Sequence, residues 1–144
     1  MARFKQGHYT PVNPHKYAGD ITKIRYMSSW ELSMHVFLDN NTQIIKWASE
    51  CIAIPYIKPT DNKLHRYYPD YYIEYIDKHG KIRRIIVEVK PDSQTKVSKA
   101  KKKQTKMYED ITLAINIAKW QACQNFCNQQ GIEFQIITEK QMFR

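Results

Sequence analysis

The chain has 144 residues and a formal net charge of +9, with 23 Lys or Arg against 14 Asp or Glu. This length predicts one domain with a sizeable core, and the 42% hydrophobic and 12% aromatic content argues against disorder. We expect neither a membrane span, since no run of about 18 apolar residues occurs, nor a signal peptide, since residues 1–6 lack an apolar stretch. Three cysteines without a CxxC pair favour a reducing compartment, and the basic charge makes a polyanion, usually nucleic acid, the first partner to consider.

The first part of the chain predicts an arm followed by a helix. Residues 1–27 hold few apolar side chains and several basic ones, so we expect a basic N-terminal arm that packs late on a single domain of residues 28–144. Ser28 and Glu31 fit a capping box, which starts a helix, and Asn41 ends it. The expected buried stripe of this helix consists of Trp30, Met34, Phe37 and Leu38.

The middle of the chain predicts strands, because short apolar runs alternate there with turn residues. The runs over residues 43–47 and 51–57 come first, and Pro55 suggests that the second lies at an edge or a bulge. After a turn-rich connection we expect a strand over 66–76 and its hairpin partner over 81–90.

The end of the chain adds one long helix and one strand. After a polar, basic segment, residues 107–130 are apolar and helix-forming, and Gly131 stops the helix. Residues 133–138 predict a last strand, and Thr138 with Gln141 repeats the capping box at a terminal helical turn. This order predicts an α/β (α+β) fold, a mixed central sheet with helices over its faces.

The predicted hairpin carries the candidate site. Asp77 and Gly80 favour a type I turn with a bulge at the glycine, and the register that follows places Asp70 directly opposite Glu88. Because side chains alternate along a strand, Asp70, Glu88 and Lys90 share one face. The opposite face is apolar and suited to packing on a helix; it carries Tyr71, Ile73, Tyr75, Ile85, Val87 and Val89.

Two adjacent carboxylates repel each other, which costs stability or raises a pKa, and a divalent cation would remove the repulsion. Carboxylate oxygens with open water positions suit Mg²⁺, or Mn²⁺ in its place, rather than zinc. Such an ion polarises a phosphoryl oxygen and lowers the pKa of a water, and Lys90 could orient that water or stabilise transition-state charge. The pattern therefore predicts phosphodiester hydrolysis, with a cross-strand salt-bridge cluster on a solvated sheet face as the alternative.

These residues also carry a family resemblance. Pro69-Asp70 followed by Glu88-Val89-Lys90 resembles the PD-(D/E)xK signature of nucleases with the restriction-endonuclease-like fold. Segments 28–31, 66–70 and 87–91 are similar to TnsA-type transposase endonucleases. The segments 1–4, 26–32, 116–122 and 137–140 are similar to the head-completion nucleases of T-even-like tailed phages, so the resemblance covers essentially the whole chain.

The resemblance implies a restriction-endonuclease-like fold and a Mg²⁺-dependent DNA endonuclease. Asp70 and Glu88 would be metal ligands and Lys90 the catalytic lysine. The backbone carbonyl of Val89 would be a further ligand, and Glu31 an additional acidic residue of the metal site, although the capping box also explains a glutamate there. The resemblance further implies double-stranded DNA as substrate, action in head completion after DNA packaging, and phage head or portal proteins as candidate partners. The expected location is the host cytoplasm, with the virion as a further site.

Basic residues around the site are predicted to contact the DNA backbone, since lysine neutralises phosphate without reading sequence. A lysine run follows the site directly and contains no acid between Asp92 and Glu109; a solvated, mobile face is its alternative explanation. Arg66 and Arg84 lie near the predicted face. The lysines of the run are Lys96, Lys99, Lys101, Lys102, Lys103 and Lys106.

Two other functions stay open on sequence grounds. A non-catalytic protein on the same fold could hold DNA ends at a viral portal through its basic surface. A membrane-binding scaffold is less favoured, because no amphipathic basic helix is visible. The long helix could lend Lys119 or Gln121 to the site, as members of the resembling family often do. Oligomeric state and cleavage specificity stay undecided.

Overall fold

A computed structural model describes residues 6–142 of the chain. Segment 1–4, which carried part of the resemblance, therefore lies outside the described residues. Short 3-10 turns occur at Pro14–Lys16, Ile21–Lys23 and Asp92–Thr95. The strands and helices in chain order are β1 (Gly7–His8), β2 (Arg25–Tyr26), α1 (Ser29–Asn40), β3 (Ile44–Ser49), β4 (Ile54–Ile57), β5 (Leu64–Tyr67), β6 (Tyr71–Ile76), β7 (Ile82–Val89), α2 (Lys103–Gln130), β8 (Glu133–Ile137) and α3 (Glu139–Met142).

The central sheet has four strands in the order β3-β6-β7-β8. The first three are antiparallel, whereas β8 runs parallel to β7, a connection that needs a crossover and uses α2 for it. Helix α1 packs beside β3, and α2 packs against β4 and β8. The predicted mixed α+β sheet flanked by helices is therefore confirmed, and it is consistent with a restriction-endonuclease-like fold. In the described range, no helix has the length and apolarity to cross a membrane.

Both faces of the sheet are buried. Tyr71, Ile73 and Val87 lie in one core together with Leu38 of α1, which confirms the predicted apolar face of the hairpin. The other face is not solvated, because Ile86 lies in a second core under α2 and the β4–β5 hairpin. The candidate carboxylates therefore lie at the end of a covered face, which disfavours the alternative of a solvated salt-bridge cluster.

Two predicted element boundaries and one predicted buried residue were wrong. The strand expected over 66–76 is interrupted after Tyr67 and resumes at Tyr71, because Pro69 cannot donate to a ladder and restricts the residue before it. Phe37 was expected in the buried stripe but is 53% exposed, since this part of α1 buries His35 and Asp39 instead. Helix α2 begins at Lys103, so it includes the end of the lysine run.

The described part of the arm, residues 6–27, contributes to the fold. Ile24 is fully buried in the first core, and Tyr17 forms a bridge with Trp47 at the free edge of β3. The carboxylate of Asp39 near the end of α1 accepts hydrogen bonds from Tyr9 Oη at 2.6 Å and from the backbone N–H of Val12 at 2.7 Å. The division of the chain at Ser28 into arm and domain stays a prediction.

Candidate active site

The hairpin of β6 and β7 has the predicted turn and register. Gly80 adopts the left-handed conformation with φ of 77°, and the Asp77 carboxylate accepts from the backbone N–H groups of His79 and Lys81. Tyr71 pairs with Val87, so the residue before β6, Asp70, lies opposite Glu88. The juxtaposition of these two acids, deduced from turn chemistry, is therefore confirmed.

Asp70 and Glu88 are interlocked through the backbone. The Val89 N–H donates to Asp70 Oδ2 at 2.7 Å, and the Asp70 N–H donates to Glu88 Oε1 at 3.3 Å. Lys90 Nζ lies 3.6 Å from Glu88 Oε2. Glu88 is only 4% exposed, so the three predicted side chains form a small, shielded charge cluster.

The carboxylates of Asp70 and Glu88 repel each other within this cluster. Burial, and then the negative charge of Glu88, raises the pKa of Asp70 to about 7, although the Val89 N–H and the Lys90 charge act in the opposite direction. Near neutral pH Asp70 is therefore only partly ionised, so the pair carries less than two full negative charges. Two carboxylates beside an open cleft fit Mg²⁺, which typically takes one or two protein carboxylates and keeps waters or phosphate oxygens as its other ligands.

A cleft of about 530 Å³ opens in front of the cluster. It places two cations, Arg66 from β5 and Lys119 from α2, beside the acids and Lys90. Lys119 Nζ lies 5.9 Å from the ring of Tyr56 and 5.8 Å from that of Tyr67, and burial followed by the charge of Lys90 lowers the pKa of Lys119. The full lining is Glu50, Arg66, Tyr67, Tyr68, Asp70, Glu88, Lys90 and Lys119.

The structure uses Glu31 as a helix cap. Ser28 Oγ accepts from the Glu31 N–H at 3.2 Å, and the Glu31 carboxylate accepts from the Met27 N–H at 3.0 Å, one residue earlier than the usual capping box. Its charge still contributes to the raised pKa of Asp70, although as the smallest of the causes. Within residues 6–142 no group of three His, Cys, Asp or Glu side chains is arranged to hold a metal ion, so a role for Glu31 in metal binding stays a prediction.

Glu50 and Tyr67 were missed by the sequence reasoning. Glu50 follows β3 with a left-handed φ of 50°, and its N–H donates to the Asp70 carbonyl at 3.1 Å. The pairing of Ser49 with Tyr71 puts Glu50 beside Asp70, but no turn in the sequence announces that register. Tyr67 was not recognised as the end of a separate strand, because one continuous strand was expected over residues 66–76.

The basic residues predicted to contact DNA fall into different places. Arg66 lines the cleft, whereas Arg84 donates from Nη2 to the Gln130 carbonyl at 2.6 Å and so satisfies the end of α2. Arg84 lies four residues along β7 from Glu88, about 13 Å away, so the structure does not bring it to the cleft. The role of the Val89 carbonyl as a ligand stays a prediction.

The lysine run begins in the segment that connects β7 to α2 and ends in the first turn of α2. Lys96 pairs with Asp92 at 3.0 Å and Lys106 with Asp110 at 2.8 Å, which reduces the net positive charge of the run. The remaining four side chains of the run are exposed at the start of α2 and before it. They are Lys99, Lys101, Lys102 and Lys103.

Comparison with known proteins identifies the family of the chain. Residues 41–139 match the family described as TnsA-like endonuclease N terminal, a range that includes the carboxylate pair, Lys90 and Lys119 but not Glu31. The chain is also 36% identical over 140 residues to the head completion nuclease of Enterobacteria phage T4, covering 92% of this chain and 90% of that protein. On the residues and the fold together, the chain belongs to the TnsA-like endonuclease N-terminal family.

Proposed function

We propose that this chain is a metal-dependent endonuclease that hydrolyses phosphodiester bonds of double-stranded DNA during phage head completion, after packaging. The observation that carries the proposal is the interlocked pair of Asp70 and Glu88, with Lys90 beside it, at the base of a cleft bordered by cations. Family membership supports the nuclease activity, and the name of the phage T4 relative supports the place in head completion. The protein would act in the host cytoplasm and could remain with the virion.

In the proposed mechanism, Asp70 and Glu88 hold Mg²⁺, or Mn²⁺ in its place, with the Val89 carbonyl and Glu31 as candidate further ligands. When bound, the ion supplies polarisation of the phosphoryl oxygen and a lower pKa for the attacking water. Lys90 orients the attacking water and stabilises negative charge in the transition state.

The positive residues around the cleft hold the DNA in this proposal. Arg66, which is exposed, and Lys119, which is half-buried, contact phosphates next to the cleaved bond. The exposed lysines at the start of α2 contact phosphates further away and add affinity that does not depend on base sequence. Arg84 is the weakest of the predicted contacts because of its distance from the cleft.

The test is cleavage of plasmid and linear DNA with Mg²⁺ or Mn²⁺. Asp70→Asn and Lys90→Met should each reduce the rate by at least about 100-fold, the scale expected when a group that stabilises the transition state is removed. Asp20→Asn, at an exposed acid that caps the turn at Ile21–Lys23, is the matched control and should cut like wild type. Equal rates for wild type and Asp70→Asn would contradict the proposal.

A non-catalytic DNA-binding protein on the same fold is the second candidate. The observation in its favour is that the exposed lysines at the start of α2 lie outside the cleft that holds the carboxylates. This candidate predicts a mobility shift of DNA without cleavage under any divalent metal. Head or portal proteins are candidate partners in both cases.

A further inference from the structure

Tyr67 carries a buried hydroxyl for which the fold provides no hydrogen bond of regular geometry. The residue ends β5, is 4% exposed and packs in the second core beneath α2. Its Oη is inaccessible to solvent and makes no hydrogen bond of regular geometry among residues 6–142. A buried donor without a partner lowers stability, so packing alone would favour phenylalanine at this position.

The surroundings of that hydroxyl point to Glu88. Tyr67 and Glu88 line the same cleft, and burial, followed by the charge of Glu88, raises the pKa of Tyr67 far above its usual range. A tyrosine hydroxyl carries its proton at neutral pH, so this one is available as a hydrogen-bond donor. A weak hydrogen bond toward the Glu88 side chain is the next cause of the same pKa shift, ahead of smaller contributions from Cys123 and Asp70.

Glu88 in turn has room for a donor. Its Oε1 accepts from the Asp70 N–H at 3.3 Å, near the long limit of a hydrogen bond, and its Oε2 lies 3.6 Å from Lys90 Nζ, beyond one. A carboxylate that ligates a metal ion is normally held by hydrogen bonds from outside the coordination sphere. The Tyr67 hydroxyl is a neutral donor available for this purpose.

The ring of Tyr67 has a separate contact. Lys119 Nζ lies 5.8 Å from its centroid, within the range of a cation–π interaction. A phenylalanine would preserve this contact while it removes the hydroxyl. The two contributions of Tyr67 can therefore be separated by a single substitution.

We propose that Tyr67 is a positioning residue, whose hydroxyl orients the carboxylate of Glu88 for ion binding. The inference deepens the proposed function and depends on it, since it assumes that Glu88 ligates a metal ion. In this inference the hydroxyl acts on the carboxylate that binds the ion. The ring contacts Lys119, which binds a DNA phosphate in the proposed function.

The experiment compares wild type with Tyr67→Phe, Lys119→Met and Tyr75→Phe. Calorimetry measures Mn²⁺ affinity without DNA, fluorescence anisotropy measures DNA affinity without metal, and thermal melting checks the fold. Tyr67→Phe should weaken Mn²⁺ binding about 10-fold, leave DNA affinity unchanged and melt no lower than wild type. Lys119→Met should weaken DNA binding and should not weaken Mn²⁺ binding, because it removes a positive charge beside the carboxylates. Tyr75→Phe removes a hydroxyl near the end of β6 that is far from Asp70. This control should match wild type in both binding assays.

The outcomes separate the inference from the proposed function. Wild-type Mn²⁺ affinity in Tyr67→Phe would overturn the inference while the function stands. A Tyr67→Phe protein that melts lower and loses ion and DNA binding together would also overturn it, because that result is structural. Failure of wild type itself to bind Mn²⁺ and to cleave DNA would overturn the proposed function first.

Discussion

Asp39 and Asp70 are both shielded from solvent, but their pKa values are shifted in opposite directions. Asp39 is fully buried near the end of α1 and accepts hydrogen bonds from Tyr9 Oη and from the N–H groups of Val12 and Asn13. Burial alone would raise its pKa, but these donors and the charge of Lys16 lower it. Asp70 has one short hydrogen bond from a backbone N–H and faces a second carboxylate, and its pKa rises to about 7.

The difference shows what hydrogen-bond donors do for a shielded charge. Asp39 is surrounded by donors, so its charge connects the N-terminal segment to α1, and Lys16 Nζ strengthens the same junction by donating to the Asp39 carbonyl at 2.8 Å. Asp70 has too few donors to stabilise two charges, so the pair with Glu88 gains most from a cation. We therefore interpret Asp39 as structural and Asp70 as functional.

The largest effect is expected when the structural aspartate is removed. Asp39→Ala leaves Tyr9 Oη and the N–H groups of Val12 and Asn13 without their acceptor, and each buried donor left unpaired costs about 1–3 kcal/mol. The melting temperature should fall by about 10 °C, as differential scanning fluorimetry would measure. Asp20→Asn, at an exposed acid whose amide oxygen can still cap its turn, is the control and should change the melting temperature little. Unchanged melting in Asp39→Ala would contradict the structural role.

Asp70→Asn should have the opposite effect on stability. The amide oxygen can still accept from the Val89 N–H, and the amide N–H can donate to Glu88, so the repulsion between the two carboxylates disappears. At pH 8 without metal, we expect stabilisation by roughly 1–3 kcal/mol in chemical denaturation. A variant that unfolds more easily than wild type would show that Asp70 is structural as well.

The two aspartates should also differ in pH dependence. Folding raises the pKa of Asp70, so the folded state binds the proton more tightly and this group lowers the unfolding free energy as pH rises from about 4 to about 7. For Asp39 the stabilisation exists above its unfolded pKa and is lost as pH falls through the lowered folded value. Denaturation of wild type and Asp70→Asn should therefore diverge between pH 4 and pH 7 and run parallel above pH 8. If the stability of wild type and Asp70→Asn ran parallel over the whole pH range, the repulsion between Asp70 and Glu88 would be contradicted.

A small effect is expected from a single exposed lysine. If Lys102 contacts one phosphate, Lys102→Gln should reduce the slope of log affinity against log salt by about 0.9, measured by anisotropy on duplex DNA. Lys78→Gln, in the turn at the far end of the β6–β7 hairpin, is the matched control and should leave the slope unchanged. Equal slopes for Lys102→Gln and wild type would remove this lysine from the DNA contacts.

The carboxylate pair could be predicted from the sequence because its causes are local. Asp77 and Gly80 determine the turn, the turn determines the register, and the alternation of side chains then places Asp70 next to Glu88. Each step depends on residues less than about 20 positions apart. The same holds for the cap at Ser28 and the stop at Gly131.

The rest of the site depends on contacts between distant segments. Glu50 reaches the cleft through the pairing of β3 with β6, Tyr67 through the packing of the β4–β5 hairpin under α2, and Lys119 through the docking of α2 on β4. Periodicity carries no information on such docking. For the same reason Phe37 was assigned to the core, since the buried positions near the end of α1 depend on the packing of the N-terminal segment.

Calorimetric titration of Mg²⁺ into the protein at pH 8, without DNA, tests the central claim most directly. The account predicts that wild type binds the ion and that Asp70→Asn binds it at least about 10-fold more weakly, while its fold is intact by melting. Asp20→Asn should bind as wild type does. Equal Mg²⁺ affinity in wild type and Asp70→Asn would contradict the assignment of Asp70 and Glu88 as the ion site.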